Sequence, residues 1–251
     1  MSKPRQLLFY EKAVPLSPAR HAGQWVEAGR SFAFSAGVNA VPLMAVEILR
    51  AANDYPVVFT GSGSEVMPAV VLGLRGDENL YLDGDGRWLA RYVPAFIRRY
   101  PFVFAADGDG SKLTLCIDET HAGLNQDGRG EQLFARDGSP TPYVERVLGF
   151  LRDYQAQFAR TQDFGRQLHA WGLLEPMQVQ LSLPEGRPLS LSGFQVISRQ
   201  RLRDLAPAQL QALMDTDALE LLYLHLHSLR NFRMLKDRLL ERVGARVSAM
   251  A

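Results

Sequence analysis

Polar and apolar positions alternate most regularly at MQVQLSL, residues 177–183. Met177, Val179, Leu181 and Leu183 share one face, and Gln178, Gln180 and Ser182 share the other. A period of two is what a half-buried strand requires. The break PEGR and the run PLSLSGFQVI follow, so the segment predicts a β-hairpin. Two earlier segments have the same form. After Tyr55-Pro56 come VVFT, GSGSE and VMPAVVLGL; after Tyr100-Pro101 come FVFA, ADGDGSK and LTLCID. Each reads as strand, Gly-rich turn, strand.

Prolines punctuate these runs. Pro42 and Pro94 fit the first turn of a helix, where the missing N–H costs nothing. Pro56, Pro101 and Pro176 fit helix exits, because the residue before a proline is pushed out of the α region. The predicted unit is helix, proline stop, hairpin. Thirteen residues separate Pro42 from Pro56, and six separate Pro94 from Pro101. The difference is about two helical turns at ~3.6 residues each, which preserves the face a helix presents. The repeated spelling marks two similar units and a looser third, by duplication or by convergent punctuation.

The remainder has helical periodicity. Thr141-Pro142 is a cap followed by proline, and Val144, Val147, Leu151, Tyr154 and Phe158 carry an amphipathic helix to about Arg160. Thr161 caps a second helix running to Trp171-Gly172, Ser198 caps a short one, and Pro207 opens another. Asp217 with Glu220 resembles a capping box at the head of a final helix from about Ala218 to Leu240. The polar stretch 119–141 is the longest Gly-rich segment. The expected fold class is α+β: antiparallel hairpins, each preceded by a helix, packed with C-terminal helices. One domain over 1–251 is expected, with a bipartite layout of an α/β part (1–120) and a helix-rich part (140–241).

Composition narrows the function classes. The 251 residues are 47% hydrophobic and 22% charged, ordinary for a globular chain with a sizeable core. With 28 basic and 27 acidic residues the formal charge is +1. That balance lacks the clustered Lys and Arg of a nucleic-acid binder. A single cysteine, Cys116, excludes an internal disulfide framework. No apolar run approaches the ~20 residues of a membrane span. The N-terminal MSKPRQLLFYEKAVPLSPARH lacks the apolar core of an export signal, so a cytoplasmic protein is expected.

Candidate chemistry is sparse. In LLYLHLHSLRNF (221–232), His225 and His227 stand two apart, so they do not face each other on a helix, and no metal-ligand spacing supports them. His225 with Ser228 and His227 with Asn231 are at helical spacing on an otherwise apolar helix. Buried there, these polar groups either cap neighbouring backbone or line a pocket. Asp107, Asp109, Ser111 and Asp118 match part of a Ca²⁺ loop, but Lys112 occupies the obligatory glycine position. GSGS (61–64) leads into a strand rather than a helix, unlike a phosphate loop. Cys116 reads as packed, although His121 is close enough in sequence to pair with it. Tyr92, Arg98 and Tyr100, among Phe96 and Arg99, form an aromatic-basic segment suited to peptide recognition beside a hairpin edge. No metal or cofactor is expected.

Five segments carry a family resemblance: NDYPVVF (53–59), LYLDGDGRWLARYVPAFIRRYPF (80–102), LCIDE (115–119), LSGFQVISRQRLRDL (191–205) and LLYLHLHSLRNF (221–232). With these, almost the whole chain resembles the SapC-like family of bacterial proteins. The family offers no established catalytic residues to carry over. Its name implies a surface layer or peptide handling, and its gene neighbourhoods imply an accessory role in uptake or modification of a nutrient or peptide. The peptide-transporter permease of the same name is unrelated.

The first expectation is a non-enzymatic binding or accessory protein for a peptide or protein partner. One alternative is an enzyme with His225, His227, Ser228 and Asn231 lining its site; another is a surface-layer structural protein. A homodimer is expected if the last helix leaves an apolar face uncovered.

Overall fold

The computed structural model describes residues 8–29, 31–106, 113–182 and 188–250. The expected turns at 107–112 and 184–187 lie outside these residues, as do Asp107, Asp109, Ser111, Lys112 and Leu183. In chain order the strands are β1 (Ala13–Pro15), β2 (Trp25–Val26), β3 (Ala40–Pro42), β4 (Val57–Thr60), β5 (Met67–Val71), β6 (Phe102–Ala106), β7 (Leu113–Asp118), β8 (Leu124–Asn125), β9 (Glu131–Gln132), β10 (Leu174–Ser182) and β11 (Pro188–Ile197). The helices are α1 (Pro18–His21), α2 (Ile48–Ala51), α3 (Ala95–Arg98), α4 (Pro142–Ala170), α5 (Arg199–Arg203), α6 (Pro207–Asp215), α7 (Ala218–Ser228) and α8 (Asn231–Met250).

The class is α+β, with antiparallel sheets covered by helices. The main sheet has the order β10-β11-β4-β5-β3. Smaller sheets run β1-β7-β6 and β8-β2-β9. Strands from both sides of the 119–141 stretch share the main sheet, because Gln195 of β11 pairs with Phe59 of β4. VVFT and MPAVV are apolar nearly throughout because β4 and β5 are central strands. Phe59 meets Phe164 of α4 and His225 of α7, at ring-centroid distances of 6.4 and 4.9 Å.

The helix half of the expected unit is corrected. Pro42 does not open a helix; it ends β3, opposite Ala69. A 3-10 turn at Ala45–Glu47 then leads into the single turn of α2. Pro176 lies within β10, opposite Gln195, rather than ahead of it. Strands β4–β5, β6–β7 and β10–β11 do pair, but β6–β7 belongs to a different sheet from the other two.

Thr161 starts no second helix, because α4 runs unbroken through it. Its hydroxyl donates back to the Gln157 carbonyl (2.7 Å) and accepts from the Ala45 N–H (2.9 Å). Within α4, Val144 and Leu151 join a small core with Phe102, Ile117 and Leu133, while Phe164 and Leu168 join the main one. At Gly165 the helix approaches so closely that an added Cβ would lie 1.9 Å from the Val66 carbonyl oxygen.

The final helix is two helices, parted at Leu229 and Arg230. Asp217 precedes α7 in a left-handed conformation (φ 56°) and makes no side-chain cap, so the predicted capping box does not form.

Candidate functional site

The His225 set faces the sheet. His225 Nε2 accepts a hydrogen bond from the Ile197 N–H at 3.1 Å. That bond requires a neutral imidazole with Nε2 unprotonated. Burial is the main cause that pushes the His225 pKa down to about 3, opposed by the Val57 backbone. Ser228 Oγ accepts from the Val57 N–H (3.0 Å) and donates to the His225 carbonyl (2.6 Å). Asn231 Nδ2 donates to the carbonyls of Ala52 (2.8 Å) and Tyr55 (2.9 Å). These three side chains join the α7–α8 corner to α2, β4 and β11. His227 projects to solvent and is not brought together with them.

Cys116 is buried, and burial pushes its thiol pKa up. His121 bonds to the Glu27 carbonyl (3.1 Å) and packs edge-on to Tyr100 rather than serving as a base for the cysteine. Asp118 is a turn anchor. Burial alone would raise its carboxyl, but bonds from Glu11, Lys12 and Thr120 outweigh burial and hold it below the ordinary carboxylate range. Among the described residues no group of three or more His, Cys, Asp or Glu could hold a metal ion.

The aromatic-basic segment builds a concave site. VPLMAVEILRAA places Glu47 at the end of the 3-10 turn, buried in an apolar run. Its Oε1 accepts from the Tyr92 hydroxyl (2.6 Å) and the Ala95 N–H (2.7 Å), and its Oε2 from the Met44 N–H (2.8 Å). Tyr92 is held on its backbone too: its N–H donates to Asp54 Oδ2 (3.2 Å) and its carbonyl accepts from the Tyr55 hydroxyl. Burial, then the neighbouring Glu47, pushes the Tyr92 hydroxyl up to about 12.

Arg98 lies across this ring, its guanidinium carbon 5.7 Å from the Tyr92 centroid and 5.2 Å from that of Phe150. Its Nε donates to the Val93 carbonyl (2.9 Å). Arg50 approaches Tyr92 at 5.9 Å. Glu47, Arg50, Tyr92, Arg98, Phe150 and Asp153 thus surround an open pocket of about 310 Å³. An apolar pocket of about 350 Å³, between β3, β5 and α4, shares Tyr154 with it. Tyr100 turns the other way, stacked on Phe34 at 4.0 Å, and lines neither pocket.

Sequence reasoning singled out Tyr92 and Arg98 but passed over Glu47 and Arg50. The available signal was a lone acid inside an apolar run, three residues after Met44 and three before Arg50.

The fold and this site define an α+β protein with an aromatic- and arginine-lined surface pocket. Among the described residues no helix is long and apolar enough to cross a membrane. The profile of the SapC family matches residues 16–235, and the chain belongs to that family. No curated protein and no solved structure is significantly similar to it.

Proposed function

We propose that this SapC-family chain is a binding module that recognises a peptide or protein partner at the Tyr92–Arg98 pocket. Its role would be accessory to uptake or modification of a nutrient or peptide, in the cytoplasm. The observation that carries this reading is a contrast between two groups of polar residues. His225, Ser228 and Asn231 are committed to backbone groups inside the fold. Tyr92 and Arg98 instead present an aromatic face and a guanidinium at an open pocket. Aromatic and arginine side chains on a preorganised frame are typical binding anchors.

The test is selection of a random-peptide display library against the purified chain. Arg98→Ala and Tyr92→Ala variants serve as counter-screens, each checked for folding by thermal unfolding. The expected result is an enriched motif that loses at least about tenfold in affinity on the folded Arg98→Ala variant. The proposal falls if no motif is enriched, or if binding survives both substitutions.

A further inference from the structure

Beside the Tyr92 pocket lies a wider cleft of about 660 Å³, between α2, the loop at 89–92 and α8. The two share Arg50 and Tyr92, so they form one continuous surface. Four arginines line the cleft: Arg50, Arg91, Arg230 and Arg238. Arg98 stands at the adjoining pocket. Asp54 is the acid in the cleft lining, and its Oδ2 already accepts from the Tyr92 N–H.

None of these five arginines is in an ion pair among the described residues. Elsewhere arginines do find carboxylates: Arg20 pairs with Glu119, Arg129 with Glu27, Arg146 with Glu131 and Arg166 with Asp163. With Glu47 and Asp153 of the adjoining pocket counted beside Asp54, the surface sets five arginines against three carboxylates, a local cationic excess in a chain of formal charge +1. Two of the cations are also oriented: Arg238 lies over the Tyr81 ring at 4.7 Å, and Arg50 faces Tyr92. Between them the surface exposes large apolar side chains. Leu49, Leu89 and Met234 line the cleft with relative exposures of 42%, 47% and 40%, and Val46 stands at the adjoining pocket.

We infer that the partner docked at Tyr92 is an acidic segment that also carries apolar side chains, with its carboxylates seated on Arg50, Arg91, Arg230 and Arg238. This rests on the binding reading above and names the chemistry of the partner. An arginine fork pairs with a carboxylate through two parallel hydrogen bonds, which a solvated lysine does not reproduce. The exposed leucines and methionine call for an amphipathic occupant, since a purely charged ligand would leave them in water. Guanidinium groups already held over aromatic rings lose less freedom on binding.

The experiment is fluorescence polarisation on the full chain with three labelled peptides of equal length. One alternates Glu and Asp with Leu and Phe, one is polyglutamate, and one alternates Lys with Leu and Phe. The acidic-apolar peptide is expected to bind at least about tenfold tighter than the other two, and more weakly as salt rises. Arg91→Glu with Arg230→Glu, both exposed positions, should lower that affinity by at least about tenfold, whereas Arg136→Glu on another surface should not.

Equal binding of the three peptides, or affinity unchanged by the charge reversals, overturns the inference. So does tighter binding of a single-stranded oligonucleotide or of anionic vesicles than of the acidic-apolar peptide. If the display selection yields a neutral or basic motif that still depends on Arg98, the binding module stands and the acidic partner does not.

Discussion

The Tyr92 hydroxyl donates to Glu47 Oε1 at 2.6 Å, joining the turn before α2 to the segment that enters α3. The same carboxylate accepts the N–H groups of Met44 and Ala95. One buried side chain therefore satisfies three donors from two parts of the chain and fixes the wall of the pocket. A buried donor left without a partner costs its full desolvation penalty.

Replacing Glu47 tests that role. Glu47→Ala leaves two backbone N–H groups and the Tyr92 O–H without an acceptor, and is expected to cost about 3 kcal/mol or more. Glu47→Gln keeps one carbonyl acceptor and should cost about half as much. Urea midpoints for both variants check the order. Equal losses would mean that the side chain's packing matters more than its acceptors.

Gly165 tests how close α4 lies to the main sheet. In an exposed helix interior, glycine to alanine is stabilising by about 1 kcal/mol. Here the new Cβ would lie 1.9 Å from the Val66 carbonyl oxygen, which is backbone and cannot swing aside. The clash decides the sign, and Gly165→Ala should lower stability by about 2 kcal/mol or more. Gly149 is the control on the same helix, because nothing lies within 4 Å of where its Cβ would sit. Gly149→Ala should be neutral or stabilising in the same urea titration.

Much of the strand content was legible because alternation is local. Met177 and residues 179–182 of β10 pair with β11 as their pattern predicts, but the register shift at Gln178 was not legible in it. Helix boundaries were less legible because their signals have two meanings. Proline's fixed φ suits both a helix start and a strand end, and at Pro42 only the pairing with Ala69 decides for the strand. A threonine hydroxyl can cap a helix or bond back along one, and Thr161 does the second. Tyr92 and Arg98 were legible as a pair because six residues bring them over one another. Arg230 and Arg238 join them only because α7 packs on α2 and brings the start of α8 to the same cleft, a juxtaposition across more than a hundred residues that no local pattern encodes.

Ser228 and Asn231 separate a fold-holding role from a ligand-binding one. Ser228→Ala leaves the buried Val57 N–H without its acceptor, and Asn231→Ala leaves two buried carbonyls without their donor. Each should cost about 1 to 3 kcal/mol. Neither residue lines the Tyr92 pocket or the arginine cleft. Peptide affinity measured on the folded fraction should therefore stay within about twofold of the parent. A loss of affinity without a loss of stability would return these residues to a binding site.

His225 makes a specific demand on acid stability. Its ordinary pKa of 6.5 falls to about 3 in the folded chain, first because the ring is buried, an effect that the Val57 backbone opposes. Below about pH 6 the unfolded chain binds a proton here that the folded chain refuses. The unfolded state then holds more protons, so stability falls as pH falls. The stabilisation is fully present above the unfolded pKa and drains away toward the folded one, at about 1 kcal/mol per pH unit from this group. His225→Gln retains a carbonyl that can accept from the Ile197 N–H but carries no group that titrates in this range. Urea unfolding of both proteins between about pH 4 and pH 7 should show the variant losing less stability over the interval. Parallel curves would mean that the folded chain admits the proton, with the ring able to turn toward a partner or toward water.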